Sequence, residues 1–220
     1  GALNTLYLAE REARGEAGEL SFAQYLAINP PVDPLYALRR IDEFFAIPAS
    51  WPEAEREACS RELLHRMASL LTLDEQQEGQ GFKMPPMTLA ESRFLIGLNM
   101  RLELVETLIA SQRVANMGVL RNDPNKRNSA LEVEALGTGY EDYARFYMLP
   151  YLLRQNPSAE PSQSLEKMAS GLSLRSLDSR MRDFAKVTIF MNRNDFLLRD
   201  DDAAWCGEFF GERAVFYPEI

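Results

Sequence analysis

The sequence predicts an α/β protein that is mostly helical, with a small parallel sheet and one large helical insertion. Three observations carry that expectation. Lys186–Met191 (KVTIFM) is dominated by β-branched and large apolar residues, which suits a strand buried on both faces of a parallel sheet. Gln24–Asn29 (QYLAIN) is a second short run, halted by Pro30 and Pro31, which cannot donate to a sheet ladder. Between the runs lie about 150 residues of helical patterning, far more than a simple crossover helix requires. No hairpin turn joins the runs, so they are expected to pair in parallel.

Residues 2–14 open the chain as a helix, with Leu3, Leu6, Tyr7 and Ala13 at apolar positions and Gly15 and Gly18 ending it. After the first strand, Pro34–Phe45 carries Leu35, Leu38, Ile41, Phe44 and Phe45 at helical spacing. Glu53–Leu73 comes after Pro52, a residue suited to a helix's first turn. Gln76–Pro86 reads as a polar hinge loop. Thr88–Met117 is a long helical stretch opened by Thr88 and Glu91 in capping-box spacing. Asn122–Asn128 is a turn-rich break, and Tyr140–Leu153 is helical again, with Tyr143, Phe146, Tyr147 and Tyr151 on neighbouring faces. Asn156–Ser164 is a Pro/Ser linker, and Ser164–Phe184 is expected to be helical up to the second strand. That strand breaks at the polar cluster Asn192–Asp195. A short helix with Asp200, Asp201 and Asp202 at its solvated start then runs to Gly211, and Ala214–Tyr217 forms a third short strand before Pro218. No fixed period links these segments, which argues against a solenoid.

With 220 residues, 46% of them hydrophobic, the chain can bury a core. Its formal net charge of −9 argues against nucleic-acid binding, which wants a basic face. No run approaches the roughly 20 apolar residues of a transmembrane helix. No secretory signal is visible within the chain, which favours a cytoplasmic location; with no initiator Met, a leader ahead of Gly1 is left open. Cys59 and Cys206 are too few for a disulfide framework or a zinc site and read as buried or half-buried free thiols. The chain contains no P-loop, G-x-G-x-x-G, H-E-x-x-H or C-x-x-C motif.

The order strand, acidic turn, helix, strand over Lys186–Ile220 resembles the C-terminal part of α/β-hydrolases of the serine-hydrolase type. In that family a carboxylate just past a parallel strand completes a Ser-His-acid triad, and the resemblance puts Asp195 in that role. GALNTLYLAEREAR resembles the small-residue helix opening directly after a G-x-S-x-G nucleophile elbow. The resemblance implies a Ser just before Gly1 and a His beyond Ile220. The chain is then truncated at both ends and holds the acid without nucleophile or base. Residues 1–33 and 186–220 become a partial core, and residues 34–185 a helical cap or lid. The implied parent hydrolyses ester, thioester or amide bonds, acyl and lipid substrates among them, through an acyl-enzyme. It needs no metal and no organic cofactor, and this chain alone is expected to be inactive.

The residues themselves weigh the same candidates. Asp195 sits in a loop just past a buried strand, a rigid mount for a carboxylate that orients an imidazole. Its plainer role is a turn residue or helix cap. Asp33 is the runner-up acid, and its plainer role is the cap of the helix starting at Pro34. Asn29 and Pro30 are candidates for a pocket floor, and Phe82, Met84 and Met87 for an apolar lining of a substrate site. His65, the only histidine, lies mid-helix in RELLHRMASLL and reads as a structural residue rather than a base. Two other classes compete with the enzyme: a non-catalytic binding or scaffold protein that keeps a hydrolase-like fold, and a helical interaction protein.

Overall fold

The computed structural model describes residues 1–19, 21–73, 87–155 and 164–217, with the backbone alone over 66–73. It is mostly helical, with a small three-stranded parallel sheet. Helix α1 (Ala2–Ala13) leads to β1 (Tyr25–Ile28). Helices α2 (Pro34–Phe45), α3 (Glu53–Leu73), α4 (Leu89–Val114), α5 (Ser129–Gly137) and the short α6 (Tyr140–Tyr143) come next. A π-helical turn at Ala144–Met148 continues into α7 (Leu149–Gln155), and α8 (Leu165–Gly171) precedes β2 (Val187–Asn192). Helix α9 (Asp202–Phe210) then leads to β3 (Ala214–Tyr217).

The sheet order is β1-β2-β3 and both pairs are parallel, with Tyr25 opposite Val187 and Phe190 opposite Val215. The predicted adjacency of the two apolar runs is therefore observed. The expected helices over 34–45 and 53–73 are present with those bounds, and α4 carries the Thr88/Glu91 capping box. Residues 164–184 differ from expectation. The helix stops at Gly171, and two 3-10 turns succeed it, Leu174–Ser176 and Ser179–Arg182. Ser173 and Asp178 each accept a hydrogen bond from the backbone two residues on, so local side-chain caps start new turns where a helix would have continued.

The chain divides into two compact units, residues 1–40 with 144–220, and residues 41–143. Residues 34–40 and 144–185, which the sequence assigns to the cap, thus fall in the unit that holds the sheet. In that unit Tyr25, Ala27, Val187, Ile189 and Met191 share one buried face of the sheet. Leu6 and Ala9 of α1 and Cys206, Phe209 and Phe210 of α9 belong to the same apolar cluster. The other face is open: Leu26 is 56% exposed, Ile28 65% and Val215 40%. The expectation of strands buried on both faces fails because α1 and α9 cover the same face.

Glu12, near the end of α1, clamps the entry to the sheet. Its carboxylate accepts from Lys186 Nζ (2.5 Å), Tyr25 Oη (2.5 Å), Ser21 Oγ (3.0 Å) and the Phe22 backbone N–H (3.2 Å). Hydrogen bonds from Lys186 first and Tyr25 second hold its pKa down to about 2. A carboxylate depressed on folding contributes stability above its unfolded value of about 4.3, and the contribution is lost as pH falls through the folded value. Glu12→Gln is therefore expected to lower Tm at pH 7. Thermal melts of both proteins taken down to pH 2 should show the gap closing as acid protonates Glu12.

In the helical unit, α2 and α4 approach so closely that only glycine fits at position 97. A Cβ there would lie 2.4 Å from the backbone nitrogen of Phe45. One turn on, Arg101 is buried, and its Nη2 donates to Asp42 Oδ1 at 2.6 Å. Its Nη1 donates to the carbonyls of Leu136 (3.1 Å) and Thr138 (2.9 Å), and its guanidinium lies 4.4 Å from the Phe45 ring centroid. Asp42 also accepts from the backbone N–H groups of Tyr140 and Glu141, so one ion pair joins α2, α4, the end of α5 and the start of α6. Removing one partner of a buried pair leaves an uncompensated charge. Arg101→Met is expected to destabilise this unit by about 3–5 kcal/mol in denaturant titrations.

Candidate active site

The carboxyl ends of β1 and β2 are tied together by an asparagine. Asn29 has φ +44°, a left-handed conformation that Asn tolerates better than most residues. Its N–H donates to the Phe190 carbonyl at 2.8 Å, and its Oδ1 accepts from the Asn192 N–H at 2.9 Å. Asn29 is half-buried and Pro30 buried, just past β1, where the sequence places a pocket floor.

Beyond Asn192 the chain turns tightly. The Asp195 N–H donates to the Asn192 carbonyl (3.1 Å), and the Leu198 N–H donates to the Asp195 carbonyl (3.0 Å). Asp195 Oδ1 accepts from the Leu197 N–H at 2.9 Å, so the residue does act as a turn acid. Its Oδ2 has no partner among the described residues. The side chain is half-buried, and burial pushes its pKa above the ordinary carboxylate range, with the Leu197 N–H pulling the other way. This is a fixed, partly desolvated carboxylate with one oxygen available.

Asp33 is in the opposite condition. Its Oδ1 caps α2 by accepting from the Tyr36 N–H at 3.0 Å, and its Oδ2 accepts from Arg199 Nη2 at 2.5 Å. Both oxygens are engaged. Met87 is half-buried at the start of the segment leading to α4, whereas Phe82 and Met84 lie outside the described residues. His65 is exposed on α3.

The sequence missed a charged cluster beside these turns. Asp202, expected at a solvated helix start, is fully buried. Its Oδ1 accepts from Arg175 Nη2 (2.8 Å) and its Oδ2 from the Arg199 N–H (2.9 Å). Arg175 and Asp202 come together only through the tertiary fold, so no local spacing marks the pair. Cys206 is buried, and its thiol is pushed up to about 12, chiefly by burial, which leaves it inert as a nucleophile. Cys59, expected to be at least half-buried, is exposed. Among the described residues no group of three or more His, Cys, Asp or Glu could hold a metal ion, and no helix is long and apolar enough to cross a membrane.

No family model matches the chain, and no curated protein or solved structure matches it.

The state of Asp195 has a consequence for stability. A carboxyl whose folded pKa lies above its unfolded value, about 3.9 for Asp, costs stability once pH has risen through the folded value. Asparagine keeps the acceptor for the Leu197 N–H and removes the charge. Asp195→Asn is expected to raise Tm at pH 7 and to leave it unchanged at pH 3, read from parallel thermal melts.

Proposed function

We propose that this chain is the acid-bearing portion of a serine hydrolase of the α/β-hydrolase type, with Asp195 as the third member of the triad. The observation that carries the reading is the contrast between two acids placed just past parallel strands. Asp195 keeps an oxygen without a partner among the described residues, whereas Asp33 is consumed by a helix cap and an ion pair. In such a triad the acid accepts the Nδ1–H of the base, fixes its tautomer and stabilises the imidazolium that forms when the serine attacks. An imidazolium beside Asp195 would also offset the burial that now raises its pKa. The all-parallel topology supports the reading, and so does the open face bearing Leu26, Ile28 and Val215, since parallel sheets are covered on both faces in finished folds.

On this reading the nucleophilic serine and the base histidine come from polypeptide outside residues 1–220. Asn29 and Pro30, at the sheet's carboxyl edge, lie where ligands of open α/β sheets bind. The substrates are esters, thioesters or amides, cleaved through an acyl-serine intermediate that water resolves.

The test is to express the chain together with its flanking coding sequence and measure turnover of a short-chain nitrophenyl ester. Asp195→Asn is expected to lower kcat by about 10³–10⁴-fold, in line with the loss of a triad acid elsewhere. Asp33→Asn keeps an acceptor for the Tyr36 N–H and gives up only the charge paired with Arg199, so kcat should stay near that of the parent. A fluorophosphonate probe should label a serine outside residues 1–220. Labelling within them, or full turnover in Asp195→Asn, would overturn the assignment.

A further inference from the structure

A cleft of about 420 Å³ opens beyond the carboxyl ends of β1 and β2, between the start of α2 and the segment from α8 to Ser176. That volume lies in the range of small-molecule sites. Its lining is unusual for such a site, because Leu35 and Ala169 are its only aliphatic members and the rest are charged, hydroxyl or phenol side chains. Three arginines reach it, Arg39, Arg175 and Arg199, against two lining carboxylates, Asp33 and Glu166.

Two of these guanidiniums are oriented before any ligand arrives. Arg199 lies over the Tyr36 ring, 5.0 Å from its centroid, and Arg175 over that of Trp205, at 5.4 Å. Each is anchored through Nη2 alone, Arg199 to Asp33, and Arg175 to Asp201 and Asp202. A guanidinium has five N–H donors, so the Nη1 and Nε edges of both remain without partners among the described residues. Asp202, fully buried, holds the two arginines to one frame by accepting from the Arg175 side chain and the Arg199 backbone. The segment bearing Arg175 is itself held in place: Ser173 Oγ and the Leu174 N–H both donate to the Val32 carbonyl.

We infer that this cleft is an oxyanion site, binding a small molecule that carries a carboxylate or phosphate group. The pre-oriented N–H edges of Arg175 and Arg199 engage the oxyanion, with the Ser170 hydroxyl nearby as a further donor. Planar N–H edges match the paired oxygens of these groups. The site stands apart from the hydrolase reading, because binding requires neither nucleophile nor base.

Residues 1–220 can be titrated at low salt, by calorimetry and by backbone NMR shifts, with inorganic phosphate, with succinate, and with dimethyl succinate as a neutral counterpart. Saturable binding of phosphate or succinate is expected, with shifts at Ser173, Arg175 and Arg199, and the tighter of the two tells a phosphate ligand from a carboxylate one. Arg199→Gln, which removes a half-exposed ion pair, should weaken binding about ten-fold or more, the loss expected for charge-assisted hydrogen bonds. Arg175→Lys keeps a cation beside buried Asp202 and gives up the planar edge, and it should weaken binding similarly. The inference is overturned if neither anion binds saturably, if the ester binds as well as succinate, or if both variants bind like the parent.

Discussion

The pairing of β1 with β2 brings together segments separated by most of the chain, and two polar clamps hold it at its ends. At the entry, Glu12 gathers Lys186, Tyr25, Ser21 and the Phe22 N–H. At the exit, Asn29 binds both Phe190 and Asn192. Closing so long a loop carries an entropic penalty that grows slowly with length, but it must be met before any strand contact forms. The apolar cluster of α1, α9 and the inner sheet face provides the driving force, and the clamps set the register. Both candidate acids depend on that register, because the turns holding Asp33 and Asp195 hang from the tied ends.

Each unit also contains an ion pair with one buried member, Arg101 in one and Asp202 in the other, that organises its surroundings. Arg101–Asp42 joins helices α2 and α4 to the end of α5 and the start of α6, and Arg175–Asp202 joins the turn after α8 to the start of α9. Buried pairs are poor sources of net stability, since desolvation offsets much of the attraction. Their effect here is geometric. The Arg101 guanidinium uses its donors on two carbonyls and a carboxylate, which permits one arrangement of the helix ends. Arg101 is enclosed, whereas the Arg175 side chain is one-third exposed and lines a cleft, and that difference makes one pair architecture and the other the wall of a cleft.

The two acids placed just past parallel strands show how environment separates roles for one residue type. Asp33 has both oxygens engaged by a cap and a cation, whereas Asp195 is half-buried, raised in pKa and left with an open oxygen. Groups held in a costly state on rigid turns are characteristic of functional sites, where stability is traded for reactivity. The oxyanion cleft, lined by Asp33 and Arg199, presents the complementary chemistry on the same carboxyl edge of the sheet.

Local physics was readable along much of the chain. Proline and capping signals bounded α2, α3 and α4, and apolar runs marked β1, β2 and their parallel pairing, because these depend on nearest neighbours and periodicity. Asp195 could be singled out because a polar turn directly succeeds a strongly apolar run. The break after Gly171 was missed because Ser173 and Asp178 offered local caps that competed with helix propensity. The tertiary structure alone decided which face of the sheet is covered, since alternation cannot say where α1 and α9 will dock. It alone buried Asp202 and brought Arg175 to it, and it alone joined Arg199 to Asp33 across 166 positions. Charge pairing over such separations leaves no periodic trace in a sequence; it exists only once the strands have set the distance.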